Sequence, residues 1–476
     1  MLNKIRDFCL KYKLIFAMAA TSILLFLNLI DNGLEWLSIS FIILFAFSMN
    51  VQEAFCYSMF LSAFSRVGLN FIVGMVACSV SILGRYIFDL VKKRKKAYEL
   101  PLIMTFAIIL IYTFIGMNFE PDGLIEGFLI IYMLGITYFA FVYSKEINVS
   151  RCFNSILIGF IVAAAIGFGA SELFNAPIDM FVFDGKDHRL QLLSYQMNNI
   201  TVHAVMQIAY AICSLFNRKR KIWNDIVAIL TFVVLGALTL SKAFLLTLVI
   251  LAVVFVVLMI IKLKKKAILP ALVTVAVCVI GAVVCWSYIE TVIERLFVTH
   301  TDGSLISMIT TGRTDSWLHY LEYWGRRTRT IFFGEGLFYP PYDLKGTHNV
   351  ALYILYRFGV VGLFMVAGLV MAYAKSSERK IKLNLSNWLV LAAWLLLSLE
   401  EVVLSDQFAI YLLLGIILLL QESCQTQNKS VKIKKTEEET KALETEMVQE
   451  STEAKTAKTS SKKIAKNKLT KTQNKI

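Results

Sequence analysis

Charged residues are scarce in this chain, and several motifs that mark common classes of enzyme are missing from it. Only 17% of the 476 residues are charged, whereas 57% are hydrophobic. The sequence has no Walker loop, no HExxH motif, no CxxC motif and no DxD-type carboxylate pair. Nucleotide hydrolysis, zinc chemistry and metal-bridged transfer from nucleotide sugars therefore lack their usual residues. The eight cysteines show no metal-ligand spacing, so we expect no disulfide, no metal ion and no cofactor.

Long apolar runs are abundant instead. The mean hydropathy is +0.66, and uncharged runs close to the ~20 residues of a membrane-spanning helix recur along the chain. We therefore expect an all-α fold, that of a polytopic integral membrane protein with about 12 to 14 transmembrane helices. The formal net charge of +14 comes from short Lys and Arg clusters between apolar runs. This pattern indicates membrane topology and argues against binding to nucleic acid.

These basic clusters predict the orientation of the chain, because loops rich in Lys and Arg stay in the cytoplasm. An even number of crossings must separate successive clusters, and after Lys92 the apolar runs supply that number each time. Both termini are then cytoplasmic, and the protein is a multi-pass protein of the cell membrane. The run 54–64 is short for a span, and whether it crosses the membrane stays open. The other predicted spans are 13–30, 34–50, 67–91, 101–118, 124–143, 152–173, 190–216, 222–240, 243–261, 267–288, 348–374, 384–400 and 407–421.

The polar parts of the chain set the boundaries of its domains. Residues 1–424 form the predicted membrane domain. Residues 425–476 form a Lys-rich cytoplasmic tail with almost no aromatic residues, which we expect to be disordered because it cannot bury enough apolar surface. One long extracytoplasmic loop, 289–347, interrupts the membrane domain and collects Arg and His residues. Because the cytoplasmic loops are short, we expect any reaction to occur on the outer side of the membrane.

Two cations lie at the predicted outer ends of spans and are candidate functional residues. Arg189 is predicted to begin the span 190–216, where a guanidinium costs about 2.5 to 3.5 kcal/mol unless it reaches the interface or is paired. Lys242 follows Ser241 where two apolar runs meet. That position is inexpensive only if the turn between the runs reaches the outer surface.

Two further candidates lie in or beside the long loop. Arg313 follows a glycine in TTGRTDSW; its planar guanidinium can hold two phosphate oxygens, and a salt bridge to Asp315 is the alternative. His348 stands at a predicted helix start with Thr347 or His348 as the cap, where the helix dipole favours the neutral imidazole that a general base needs. The glycine pair in GEG, 334–336, favours a turn over a phosphate cradle.

These candidates lie in three stretches that match one family pattern. The stretch RL…NN, from Arg189 to Asn199, resembles R-L-x-G-x-x-x-N-P-N. The stretch SKAFLLTLV resembles S-R-G followed by apolar residues, with Lys242 where Arg is commoner. The stretches TGRTDSW, FFGEGL and THNVALYILYRFGVVG resemble G-R-x-x-x-W, F-G-x-G and H-N-x-x-L-x-x-L-x-x-x-G-x-x-G. In these motifs, and in its one long outer loop, the chain resembles the superfamily of O-antigen ligases and Wzy-type polysaccharide polymerases.

The resemblance implies a metal-independent, inverting glycosyltransferase of the cell envelope. It would polymerise polyprenyl-diphosphate-linked (undecaprenyl-type) oligosaccharide repeat units on the outer face of the membrane, in the synthesis of capsule, exopolysaccharide or O-antigen. His348 would be the catalytic base, and Arg189, Arg313 and Lys242 would bind the diphosphate. Its partners would be the lipid-linked glycan donor and acceptor, the lipid bilayer and other polysaccharide-assembly proteins.

Two alternatives remain open. A ligase of the same superfamily would transfer a finished glycan to a lipid or protein acceptor, and the motifs do not separate it from a polymerase. A lipid-linked oligosaccharide transporter, or flippase, belongs to a different class and would show internal repeats. The sequence shows no repeated half, and its outer charges are concentrated in one loop, which favours an enzyme with access from one side.

Overall fold

The computed structural model describes most of the first 263 residues and three later stretches of the chain. The described residues are 2–263 without 66, 68, 95–98, 117–120, 175, 177–178, 185–186, 194–196 and 218–219, then 286, 290, 294, 313–338, 349–376, 385–398, 411 and 414–418. The chain divides into two units, Met1–Leu420 and Gln421–Ile476, and every described residue belongs to the first. His348, the tail 425–476 and nearly all of the predicted span 267–288 lie outside the described residues.

The described residues are mostly helical, as the long uncharged runs predict. The helices are α1 Leu2–Ile30, α2 Glu35–Ser48, α3 Val51–Leu61, α4 Leu69–Val91, α5 Glu99–Ile115, α6 Pro121–Val142, α7 Val149–Phe174, α8 Met197–Asn217, α9 Ile222–Leu238, α10 Lys242–Leu263, α11 Arg313–Gly325, α12 Thr328–Phe333, α13 Val350–Ser376 and α14 Leu385–Ser398. One antiparallel hairpin, of β1 Phe181–Asp184 and β2 Asp187–Leu190, departs from the expected all-α fold.

Six helices of the described part of the chain are long and apolar enough to cross a membrane. They contain the stretches Tyr12–Ile30, Ile72–Val91, Val149–Phe174, Asn199–Asn217, Lys242–Ile261 and Val350–Tyr373. Each overlaps a span predicted from the sequence. Helices α5 and α9 have 17 residues each and are about 26 Å long at 1.5 Å per residue, a little short of a ~30 Å hydrocarbon layer.

The run 54–64 is neither a long span nor part of a neighbouring helix. It belongs to α3, an 11-residue helix, and to the 3₁₀ turn Ser62–Phe64 that follows it. A capping box between Asn50 and Glu53 starts this helix. All residues from 54 to 64 are buried, and the helix packs mainly against α4 and α7. At about 16 Å, α3 is only half as long as a bilayer core is thick. The segment 54–64 is therefore a short buried helix that is too short to span a membrane by itself.

Helix α8 is the most enclosed of the six long apolar helices. Its apolar stretch is 89% buried, against 28–39% for the other five. Buried polar side chains of α8 bond to its neighbours: the Gln207 Nε2 donates to the Phe153 carbonyl of α7 at 3.0 Å, and the His203 Nδ1 is hydrogen-bonded to the Tyr411 hydroxyl. The first turns of α8 therefore have a defined place in the fold, and the candidate site is built around them.

Candidate functional site

Arg189 lies on a β-strand and not at the start of a helix, which corrects the predicted span 190–216. It is on β2, opposite Val182 of β1, and α8 begins only at Met197. The prediction was wrong because Leu190, Leu192 and Leu193, all buried, extend the apolar run towards the hairpin. The letters DGKD at 184–187 were the available signal, since a glycine at the first position of a two-residue loop is typical of hairpins.

The side chain of Arg189 is held against the turn between α9 and α10. Its Nε donates to the backbone carbonyl of Thr239 at 2.7 Å. Thr239 follows the last residue of α9, and Lys242 begins α10 three residues later. Both cations are partly buried. The tertiary structure therefore brings Arg189 to the turn that leads into Lys242. The stretch that begins with Arg189 and the stretch SKAFLLTLV thus lie close together here.

Hydrogen bonds from α8 and α9 hold this turn in place. The Thr239 hydroxyl donates to the Gly236 carbonyl at 2.6 Å, and it lies 3.2 Å from the Thr201 hydroxyl of α8. Arg189, Thr201, Thr239 and Lys242 are called the arginine–turn cluster below. Its position is determined by three elements, β2, α8 and the α9–α10 connection, and not by a single loop.

Strained backbone flanks the arginine–turn cluster. Among the described residues, the non-glycine residues with positive φ are Lys93, Leu192 and Leu240, at 53°, 53° and 51°. A side chain in this region costs roughly 1–2 kcal/mol, and such strain is concentrated at functional sites. Leu192 lies three residues after Arg189, and Leu240 directly follows Thr239. Two of the three strained positions thus adjoin the Arg189–Thr239 hydrogen bond, an indication of function that does not depend on any motif.

Arg313 belongs to a second group of residues, in which α11 packs against α13. It is the first residue of α11, and its side chain is partly buried. The Tyr320 and Tyr323 rings of α11 lie 5.4 and 5.8 Å from the Tyr356 ring of α13. Burial raises the pKa of Tyr320 to about 12. The side chain of Asp315, the alternative partner of Arg313, lies outside the described part of the structure.

The start of α13 is capped by Asn349. Its Oδ1 accepts hydrogen bonds from the backbone amides of Ala351 at 3.0 Å and Leu352 at 3.2 Å. The sequence predicted Thr347 or His348 as the cap, and that prediction was wrong by one or two positions. The amide side chain fits because Asn is among the strongest N-cap residues. His348 directly precedes the cap in the sequence.

The GEG segment forms a turn whose amides are already engaged. Gly334 and Gly336 have φ values of 67° and 88°. The backbone amide of Glu335 donates to the Tyr356 carbonyl, and that of Gly336 donates to the Arg357 carbonyl, each at 2.9 Å. A phosphate cradle would need these N–H groups to point at the ligand. The segment therefore docks the loop onto α13, in agreement with the predicted turn.

Arg357 is the buried cation that the sequence-based reasoning missed. Its side chain is fully buried, its guanidinium lies 5.5 and 5.7 Å from the Tyr353 and Tyr356 rings, and its Nη1 donates to the Gly336 carbonyl at 3.5 Å. An ionisable residue inside an apolar run is by itself a sign of function or of specific packing. The sequence carries that signal in LYRFG, where a single arginine stands in an apolar run, but the long loop contains many more cations.

Comparison with family models, with curated proteins and with solved structures found no match for this chain. Function has to be argued from the two groups of residues described above. The arginine–turn cluster joins β2, α8, α9 and α10, whereas α11 packs mainly against α12 and α13. Within the described residues, no group of three or more His, Cys, Asp or Glu residues is placed to hold a metal ion.

Proposed function

We propose that this chain is a polytopic integral membrane protein with about 12 to 14 spans. We further propose that it is a glycosyltransferase, which polymerises polyprenyl-diphosphate-linked oligosaccharide repeat units on the outer face of the cytoplasmic membrane. The observation that carries the proposal is the hydrogen bond from Arg189 to Thr239. It brings Arg189 of one motif stretch to the turn that leads into Lys242 of another, at one end of the apolar helices α8, α9 and α10. The diphosphate of a lipid-linked sugar would lie at such an end, between hydrocarbon and water.

The proposed reaction is a single displacement at the anomeric carbon of the donor. The oxygen of an acceptor hydroxyl forms the new bond to this carbon, and the bond to the diphosphate oxygen breaks. The electron pair leaves with the diphosphate, and the hydroxyl proton passes to His348, the general base. Arg189, Arg313 and Lys242 offset the charge that develops on the diphosphate. The products are a longer lipid-linked glycan with inverted configuration at the new bond and polyprenyl diphosphate.

Contacts between segments with the same predicted orientation support the membrane topology. Arg189 and Thr239 both belong to the predicted outer side. So do the Leu337 amide and the Tyr112 carbonyl, which are hydrogen-bonded at 3.0 Å. At the predicted cytoplasmic side, Lys13 forms a salt bridge with Glu53 at 2.8 Å.

The proposal is tested with the full-length protein in liposomes supplied with a lipid-linked repeat unit. We expect a ladder of longer glycans on a gel, and no ladder with His348→Ala. Transfer of a glycan to a different lipid or protein acceptor would identify a ligase instead. Movement of the repeat unit across the bilayer without a new glycosidic bond would identify a transporter and overturn the proposal.

The same assay with a chelator tests whether cationic side chains are sufficient. Because three cations are proposed to offset the diphosphate charge, EDTA should leave the ladder unchanged. A ladder that is lost in EDTA and restored by magnesium or manganese would contradict this mechanism. Attention would then move to Glu400, Glu401 and Asp406, carboxylates of the predicted outer segment 400–406.

A further inference from the structure

Helix α13 is broken about a third of the way along, at Gly359. This residue has φ 60° and ψ −168° inside an otherwise helical segment. A helix that ends leaves carbonyls without intrahelical partners, and here donors from outside the helix supply the missing hydrogen bonds. Besides the GEG amides that bond to the Tyr356 and Arg357 carbonyls, the Tyr112 hydroxyl of α5 donates to the Phe358 carbonyl at 2.8 Å. The break thus divides α13 into a shorter part, 350–358, called the first half below, and a longer part, 360–376.

Tyr112 contacts both sides of this junction. Its side chain is fully buried, and its ring lies 4.8 Å from the Phe358 ring in an edge-to-face arrangement. Its backbone carbonyl accepts a hydrogen bond from Leu337 N, directly after the GEG turn. A Cβ on Gly362 would lie 2.5 Å from the Tyr112 hydroxyl, so the absence of a side chain at that position makes the contact possible.

The first half of α13 connects two residues of the proposed reaction. Its cap, Asn349, directly follows His348 in the sequence. Its Tyr356 packs against Tyr320 and Tyr323 of α11, the helix that begins at Arg313. The first half of α13 and α11 therefore share one packed interface. The hydrogen bond from Tyr112 ties the far end of this segment to α5.

The geometry points to Tyr112 as a positioning residue for the proposed reaction, on which this inference rests. Tyr112 acts through the residues that it anchors. Its hydroxyl holds the first half of α13 against α5, and with it α11, the helix that begins at Arg313. A displacement of about 1 Å at a reacting group can cost about 10²-fold in rate, so the loss of a single anchoring hydroxyl should be measurable in turnover.

The test compares Tyr112→Phe with Tyr86→Phe. Each variant removes one buried tyrosine hydroxyl; that of Tyr86 is hydrogen-bonded to the Tyr138 hydroxyl at 2.7 Å, on α4 and α6. Both should lower the thermal unfolding midpoint by similar amounts. Only Tyr112→Phe should lower kcat, by about tenfold, and the donor KM should rise with it, because α11 carries Arg313, one of the donor-binding cations.

A distance measurement reports the position of the segment independently of activity. Nitroxide labels at Val234 of α9 and Leu321 of α11, both exposed, measure how α11 is placed relative to the arginine–turn cluster. In Tyr112→Phe the distance distribution should shift or broaden, and in Tyr86→Phe it should match that of the otherwise unchanged protein.

The outcomes separate this inference from the proposed function. If the unsubstituted protein makes no ladder, the proposed function fails, while the distance measurement still tests whether Tyr112 holds the segment. If the ladder forms and Tyr112→Phe keeps both its kcat and its distance distribution, the positioning role is wrong. An equal fall of kcat in Tyr86→Phe would also contradict it, because the effect would then reflect general destabilisation.

Discussion

At the scale of single residues, Arg189 is tied to the α9–α10 turn by its guanidinium, whose Nε donates to the Thr239 carbonyl. A lysine at the same place would bring a point charge on a flexible stem and could not offer the planar set of donors of an arginine. Lys242, on the same turn, supplies charge without that geometry. The two cations of the arginine–turn cluster are therefore not equivalent.

Substitution of the base and of the arginines should affect different kinetic quantities. His348→Ala should lower turnover by about 10²-fold to 10⁴-fold, the usual contribution of general base catalysis, with donor affinity nearly unchanged. Arg189→Ala and Arg313→Ala should weaken donor binding, and Lys at either position should restore it only partly. Donor affinity and single-turnover rate are the measurements.

Arg327→Ala is a suitable control for these substitutions, because Arg327 is an exposed arginine just before α12. It should change neither quantity. Polymer synthesis by His348→Ala at a near-normal rate would refute the assignment of the base and direct attention to His319 or His300.

At the scale of secondary-structure elements, the break in α13 explains why two glycine-containing stretches occur together. A Cβ on Gly359 would lie 2.5 Å from the Phe332 carbonyl carbon, and one on Gly334 would lie 2.5 Å from the Arg357 carbonyl carbon. Each glycine lets the backbone of the other segment approach. The stretches FFGEGL and YRFGVVG therefore pack directly against each other, although some 20 residues separate them in the chain.

Gly359→Ala should destabilise the fold much more than a glycine substitution elsewhere in a helix. The positive φ and the steric overlap together should cost about 2 to 4 kcal/mol. Gly135→Ala, in α6, is the matched control, since a Cβ there meets no atom within 4 Å; it should be neutral or stabilising by up to about 1 kcal/mol. Unfolding midpoints in the same detergent provide the comparison. Equal midpoints for the two variants would show that the break is not required for stability.

At the scale of the whole molecule, α7, α9, α10 and α14 pack against α8, while many of the described helices keep apolar outward faces. Exposed Phe, Leu, Ile and Val side chains cover α1, α4, α5, α9 and α10. In water such a surface would be an aggregation liability, whereas in a bilayer it is the expected surface. The apolar stretch of α8 is far more buried than those of the other long helices. A helix bundle in lipid would show this difference, because its polar side chains face the interior.

Labelling of single introduced cysteines tests the orientation of this bundle. Thiols at Asp302 and Lys345 should react with a membrane-impermeant reagent added outside, and thiols at Lys93, Lys264 and Lys432 only after the membrane is permeabilised. The expectation follows from the positions of the basic clusters. A thiol at Lys345 that reacts only from the cytoplasm would place the proposed site on the wrong leaflet for its substrate.

The sequence by itself determined where most of the described apolar helices lie. Whether a segment partitions into an apolar phase depends mainly on its own side chains, so runs such as 67–91 and 243–261 coincide closely with α4 and α10. The start of α8 was misplaced by seven residues, because buried leucines at and just after the end of β2 continue its apolar run. Hydropathy cannot distinguish such leucines from the first turns of a helix.

Only the tertiary structure decided which residues meet. The Tyr112 hydroxyl and the Phe358 carbonyl are separated by 246 positions, and no local pattern in either helix indicates the other. Arg189 and Thr239 meet because β2 packs against α9, which itself packs along α8, and this depends on the arrangement of several elements at once. The positions of the long apolar helices are thus readable from local composition. The geometry of the candidate site is not, because it results from contacts between segments whose sequences carry no information about their distance in space.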